Sequence, residues 1–186
     1  MEALELLHNR VSCPVLNEPG PTEEQLKNIY QAALRAPDHG ALRPWRFLSV
    51  QGEARAKLGE LFLRGALAND AELPDAKQDK IRAMPLRAPC MLVVIAAVKD
   101  SPKIPVLEQE VSAGCAAQNM ILAAYAQGLG AMWRTGDMAY NSVVREGLGL
   151  TEQETIIGYI YLGTPKKLRK APVHDQQEYV VEWTGV

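Results

Sequence analysis

An α+β fold, with helices on both faces of a mostly antiparallel sheet, is predicted for this chain by three observations. Helical patterns outnumber strand patterns. Strands and helices do not alternate strictly, as the repeated units of a parallel α/β sheet require. The stretch Met91 to Val98 is almost wholly apolar and rich in valine, as expected of a strand covered on both faces. The 186 residues show no internal repeat and no linker-like boundary. One domain over residues 1–186 is therefore expected, long enough to bury roughly 70% of its unfolded surface.

The elements follow in order. Residues 2–10 read as a helix, with Leu4 and Leu7 on one face and Arg10 in the last turn, where a cation complements the dipole. Pro14, Pro19, Gly20 and Pro21 make Val11 to Pro21 a loop. Thr22-Glu23-Glu24-Gln25 is a capping box, in which Thr22 accepts from the Gln25 amide and Gln25 reaches back. Behind it Leu26, Ile29, Tyr30, Ala33 and Leu34 recur at helical spacing, and Pro37 disfavours helical geometry at Ala36. Trp45 to Val50 has strand composition and stops at Gly52. Glu53 to about Ala68 reads as a helix on Ala54, Leu58, Leu61 and Phe62. Asn69 to Lys80 is expected to be a polar surface insertion, with a helix over Asp75 to Met84.

After the Met91–Val98 strand, Glu108 to Gln127 predicts a long, mostly apolar helix ending at Gly128 or Gly130. Its alanines, with Ser112 and Gly114, let another helix approach closely. Ala131 to Arg134 is a short strand, Ser142 to Leu148 a short helix, and Thr155 to Leu162 a second well-marked strand. Beyond Pro165 and Pro172 the chain finishes on Tyr179-Val180-Val181-Glu182-Trp183. That apolar strand has nothing local to pair with and is expected to cross to another subunit.

Composition excludes several classes. A net charge of −2 and no basic stripe argue against a nucleic-acid partner. No apolar run is long enough to span a bilayer, and the N-terminus lacks a signal-peptide pattern, so no membrane and a cytoplasmic location are expected. Three cysteines without CxxC spacing and three scattered histidines predict neither a disulfide framework nor a metal site. There is no GxGxxG, P-loop, GxSxG or HExxH.

Three segments could carry chemistry. Arg35 to Trp45, RAPDHGALRPW, is stiffened by Pro37 and Pro44 and turned at Gly40; Arg35, His39 and Arg43 put three donors into eleven residues. Such a loop suits a planar, partly anionic ligand, though His39 is equally a structurally bonded loop histidine. Arg10-Val11-Ser12 sits where a helix meets a loop and makes a phosphate clamp, or else a solvated helix-end cation followed by a serine. In Gly128-Leu129-Gly130-Ala131-Met132-Trp133-Arg134-Thr135-Gly136 the glycines bring backbone near a ligand and Trp133 and Arg134 add an aromatic wall and a charge. The alternative there is a helix cap running into a strand with Trp133 in the core. Together the three point toward a flavin.

In this order, MEALELLHNRVS, PTEEQL, RAPDHGALRPWRF, EQEVSAGCAAQNM, AQGLGAMWRTG, SVVREGLGL and GYIYLGTP resemble the FMN-dependent nitroreductase family, specifically its short, single-domain NAD(P)H nitroreductases. The resemblance implies an α+β, nitroreductase-like homodimer with two flavin sites, each built from both subunits. It places Arg10, Val11 and Ser12 on the phosphate and pyrimidine side of FMN, with Trp133, Arg134 and Thr135 lining the same flavin. It assigns Arg35 and His39 to the partner's flavin. A nicotinamide contact would fall on Ala123, Ala124, Tyr125, Ala126, Gln127 and Gly128, a segment that reads by itself as the apolar end of a buried helix. Lys166, Lys167 or Arg169 would add charge at the phosphate.

Two departures stand out: Val11 occupies a position where the family commonly has a second arginine, and Cys13-Pro14-Val15 supplies no later cation. The implied activity is a ping-pong transfer of two electrons from NADH or NADPH, through FMN, to a small nitroaromatic or quinone-like acceptor, with no protein nucleophile. The alternatives are a non-catalytic flavin-binding or apo scaffold or sensor dimer, and a flavin-dependent dehalogenase-like enzyme.

Overall fold

The computed structural model describes residues 2–167 and 169–185. Its helices are α1 (Ala3–Asn9), α2 (Glu23–Ala33), α3 (Ala54–Asn69), α4 (Asp75–Arg82), α5 (Val106–Ala126) and α6 (Ser142–Gly147). Its strands are β1 (Leu16–Asn17), β2 (Trp45–Gln51), β3 (Cys90–Ala97), β4 (Gly130–Arg134) and β5 (Glu154–Pro165). All five pair antiparallel in the order β1-β5-β3-β2, with β4 also on β5. The predicted α+β architecture is the one observed.

Strand alternation divides the core in two. Met91, Val93 and Ile95 of β3, with Tyr159 and Tyr161 of β5, pack against Leu58, Leu61 and Phe62 of α3. Cys90, Leu92 and Val94, with Ile160 and Leu162, meet Leu26 and Ile29 of α2 and Ala117, Met120 and Ala124 of α5. Cys90 through Ala96 are thereby all buried, which explains the continuous apolar run. Between Val94 and Ile95 the β3–β5 register shifts, leaving Ile157 as an extra residue on β5.

The local signals behave as physics requires. The Thr22 box forms in both directions, at 3.2 Å from the Gln25 amide to Thr22 Oγ1 and 2.9 Å from the Thr22 amide to Gln25 Oε1. Gly128, at φ +78°, ends α5: its N–H donates to Tyr125 O while Leu129 N–H donates to Ala124 O, the crossed pair of a Schellman cap. Pro105 precedes α5, so the helix starts at Val106, two residues before the expected Glu108. Pro85 lacks the N–H an α-helix needs, so Met84–Arg87 is a separate 3-10 turn and α4 ends at Arg82.

Two expectations need correction. Val11–Pro21 is not all loop, because Leu16–Asn17 pairs with the end of β5, which itself runs on to Pro165. Asn69–Lys80 is not merely a surface insertion, since Leu73 is buried and Ile81 of the following α4 turn anchors it under α3. The C-terminal segment expected to cross to another subunit pairs with no strand of its own chain among the described residues. Apart from a 3-10 turn at Gln176–Glu178 the segment is irregular, with Val181 86% and Trp183 84% exposed.

Candidate functional site

The first cluster forms where α1 stops. Arg10 caps the helix with its N–H on Leu6 O, then turns to an extended conformation. Val11 and Ser12 follow, and the Cys13 N–H donates to Ala131 O at 2.8 Å. That bond ties the Arg10–Ser12 turn to β4. Nearby, Lys166 N–H donates to Val15 O at 3.2 Å, which brings the exposed Lys166 and Lys167 to the same edge. Arg169 lies with Glu5, Asn9 and Tyr125 in a shallow depression beside α1. Among the described residues the Arg10 guanidinium has no hydrogen-bond or ion-pair partner in the chain.

The second cluster is the end of β4. Trp133 to Thr135 border a cleft of about 650 Å³ between β4, β5 and the α4–β3 segment. Alternation sends Met132 and Arg134 to the cleft face and the Trp133 indole to the α2–α5 face. There the indole lies across Gly158, where a Cβ would sit 2.1 Å from Nε1. Its N–H donates to Ile157 O at 3.4 Å. Trp133 is thus half a core residue, and the charge that faces the cleft is Arg134, whose guanidinium lies 5.9 Å from the Tyr161 ring centroid.

The Arg35–Trp45 loop turns as expected at Gly40 (φ +69°), and further at Ala41 (φ +55°) and Arg43 (φ +50°), where a side chain is strained. Asp38 holds the strain in place by accepting from the Leu42 and Arg43 amides at 3.1 and 2.8 Å. His39 Nδ1 lies 2.7 Å from Glu108 Oε2, both side chains being at least half exposed. Strain maintained in an exposed loop is a mark of functional segments. Neither Arg35 nor His39 lines the cleft of its own chain.

Ala123 to Gly128 forms the last turn and cap of α5. Gln127 donates to Gln25 O and Ala123 O and accepts from Asn28, while Gln25 donates to Gln127 O. The polar groups of Gln127 are engaged in joining α5 to α2.

Several cleft residues escaped the sequence reading: Lys77 and Lys80 of α4, Arg87 after it, and Tyr159 and Tyr161 of β5. The i, i+2 spacing of the tyrosines was a visible signal that both share one strand face. Nothing local shows that the α4 cations oppose them. Burial is the main reason both phenols are pushed up from their ordinary range; Arg87 and Arg134 pull Tyr161 back. Burial also pushes the Cys90 thiol up to about 12, so it stays protonated and offers no nucleophile. Among the described residues no group of three His, Cys, Asp or Glu side chains is placed to hold a metal ion, and no helix is long and apolar enough to cross a membrane.

Residues 8–164 match the model of the Nitroreductase family. Over 166 residues the chain is 47% identical to "Putative NAD(P)H nitroreductase YdjA" of Escherichia coli (strain K12), covering 89% of this chain and 90% of the relative. It is similar in fold to the crystal structure of a nitroreductase-like family protein from Bacillus cereus, with a TM-score of 0.84, 24% identity, and coverage of 100% and 97% of the two chains. A variant of the FMN and NADPH-dependent nitroreductase NfnB, from sphigopyxis sp. strain HMH, aligns over 100% of both chains with a TM-score of 0.77 at 19% identity.

Proposed function

The chain belongs to the nitroreductase family, and from that premise we propose that it is an FMN-dependent oxidoreductase. It takes two electrons from NADH or NADPH and passes them, in a ping-pong cycle, to a nitroaromatic or quinone-like acceptor. When bound, FMN supplies the redox chemistry; the protein supplies position and electrostatics.

The observation that carries this reading is the Cys13–Ala131 hydrogen bond, which joins a cationic turn to the start of β4, the strand whose other end borders the cleft. The donor set fits an FMN. At one end stand a half-buried guanidinium free to donate, the exposed Ser12 hydroxyl and the Lys166–Lys167 ammonium groups, which suit a phosphate. At the other, Arg134 and the Thr135 region suit the rim of a flat, electron-poor ring. Arg10 would neutralise phosphate charge, and the Ser12 hydroxyl would donate a hydrogen bond to a phosphate oxygen. Arg134, which lines the cleft, would stabilise the negative charge that reduction adds to the ring. Because the polar groups of Gln127 are engaged in helix packing, the donor is not assigned to Ala123–Gly128.

The active assembly in this proposal is a homodimer in which Arg35 and His39 of each subunit reach the other's flavin. Supporting it are the exposed apolar side chains Leu4, Leu7, Val106, Leu107 and Val111 along α1 and the start of α5, with Val181 and Trp183 in the tail. So much exposed apolar surface is characteristic of an interface.

The test is direct. The purified protein is expected to be yellow and dimeric, and anaerobic addition of NADH or NADPH bleaches it. Yellow protein that neither donor bleaches eliminates the reductase and leaves a flavin-binding scaffold. Colourless protein that refuses added FMN eliminates both.

A further inference from the structure

Charge is distributed unevenly around the cleft. Lys77, Lys80, Arg87 and Arg134 ring it, against one lining carboxylate, Asp137. Among the described residues none of those four cations has an ion-pair partner, whereas Arg82, on the same helix as the lysines, is bonded to both Glu60 and Asp79. A chain of net charge −2 thus concentrates uncompensated positive charge at one concavity. Low-dielectric walls focus such a field. The walls are Phe62, Met84, Met132, Tyr159 and Tyr161, aromatic rings and thioethers that suit a flat ring.

The two tyrosines differ. The Tyr159 hydroxyl donates to Met138 O at 3.0 Å and is satisfied. The Tyr161 hydroxyl has no hydrogen-bond partner among the described residues, although the residue is 4% exposed. It sits within the influence of Arg87 and Arg134. A phenol O–H that opens on the cleft without a protein partner, in a lining it shares with Arg87 and Arg134, is a place for an oxyanion.

We propose that this cleft selects an aromatic acceptor bearing a carboxylate or similar anionic group, with Arg87 and the Tyr161 hydroxyl holding the negative charge. The inference rests on the reductase reading and adds the acceptor's class. Lys77 and Lys80, exposed at the rim, attract the anion from solution and act on its association rate. The same oxyanion chemistry exists in the phosphates of the nicotinamide donor and of FMN, so the experiment separates the three.

The purified, flavin-loaded protein is assayed with 4-nitrobenzoate and with nitrobenzene under one donor. A higher kcat/KM is expected for the carboxylate, with a preference that declines as salt screens the rim. Arg87→Gln and Tyr161→Phe each reduce that preference about tenfold or more, in keeping with the loss of one charge-assisted hydrogen bond to a carboxylate. A second readout needs no turnover: 4-nitrobenzoate added to the oxidised protein perturbs its visible spectrum, and Arg87→Gln weakens that binding by a similar factor. Equal efficiency with both acceptors, together with unaltered variants, overturns the proposal. So does loss of FMN on purification of Arg87→Gln, which makes Arg87 a cofactor residue, or a rise confined to the donor's KM. Failure of either donor to reduce the flavin removes the reductase reading and this inference with it; normal reduction without charge preference removes the inference alone.

Discussion

Replacing Gly158 by alanine tests the geometry that fixes the end of β4. A Cβ there would lie 2.1 Å from Trp133 Nε1, 2.7 Å from its Cδ1 and 3.1 Å from Arg134 O. The backbone oxygen cannot yield, so the indole must. Its retreat is limited because the indole is packed against the cluster formed by α2 and α5. The hydrogen bond to Ile157 O is then lost, at about 1 kcal/mol, and forcing a large ring in a packed core adds roughly 1–3 kcal/mol. The expected destabilisation is about 2–4 kcal/mol, a large share of the ~5–15 kcal/mol that holds a domain together.

Urea unfolding followed by circular dichroism measures it, at fixed protein and FMN concentrations because dimerisation and ligand shift the midpoint. Trp133→Ala alone should cost about 3–5 kcal/mol. Since it empties the space that the methyl added at Gly158 needs, the double variant should cost no more than Trp133→Ala within about 0.5 kcal/mol. Additive single costs, or a Gly158→Ala variant as stable as the parent, refute the packing described.

Three further outcomes follow from other parts of the molecule. Arg10→Ala should lower FMN affinity by about 1.5–3 kcal/mol, read by flavin retention and fluorescence titration, and unchanged affinity removes the clamp. Glu154 accepts from Arg46 Nε at 2.5 Å and Nη2 at 2.8 Å, and mainly that pairing lowers its carboxyl from 4.5 to about 2. A lowered carboxylate contributes stability that is complete above pH 4.5 and is lost as pH falls toward 2, at most about 3 kcal/mol. The stability gap between the parent and Glu154→Gln should narrow only in that acid window, and a gap that is flat with pH contradicts the pairing. Trp183→Ala combined with Val181→Asp should shift the sedimentation equilibrium toward the single chain if the tail crosses to a partner; an unshifted dimer rejects that crossing.

The sequence by itself determined the features governed by neighbours along the chain. Thr22 and Gln25 are three residues apart on a helix start, so the capping box had one way to form. Gly128 ends α5 because only glycine adopts that backbone freely. The apolar run of β3 required cover on both faces, and it has it. Local chemistry alone marks the Arg10 and Trp133 segments as site candidates. Their joining through the Cys13–Ala131 bond spans more than a hundred residues and has no local pattern.

Tertiary structure alone decided which side of the sheet each group serves. Register on β5, with its extra residue at Ile157, turns Arg134 and Tyr161 toward the cleft and the Trp133 indole away from it. It also stations Lys77, Lys80 and Arg87 opposite them, although α4 looked like a polar insertion in the sequence. Periodicity records which residues share a face, but not which distant face they will meet. That choice belongs to strand pairing and helix packing, where a shift of one residue reverses every side chain.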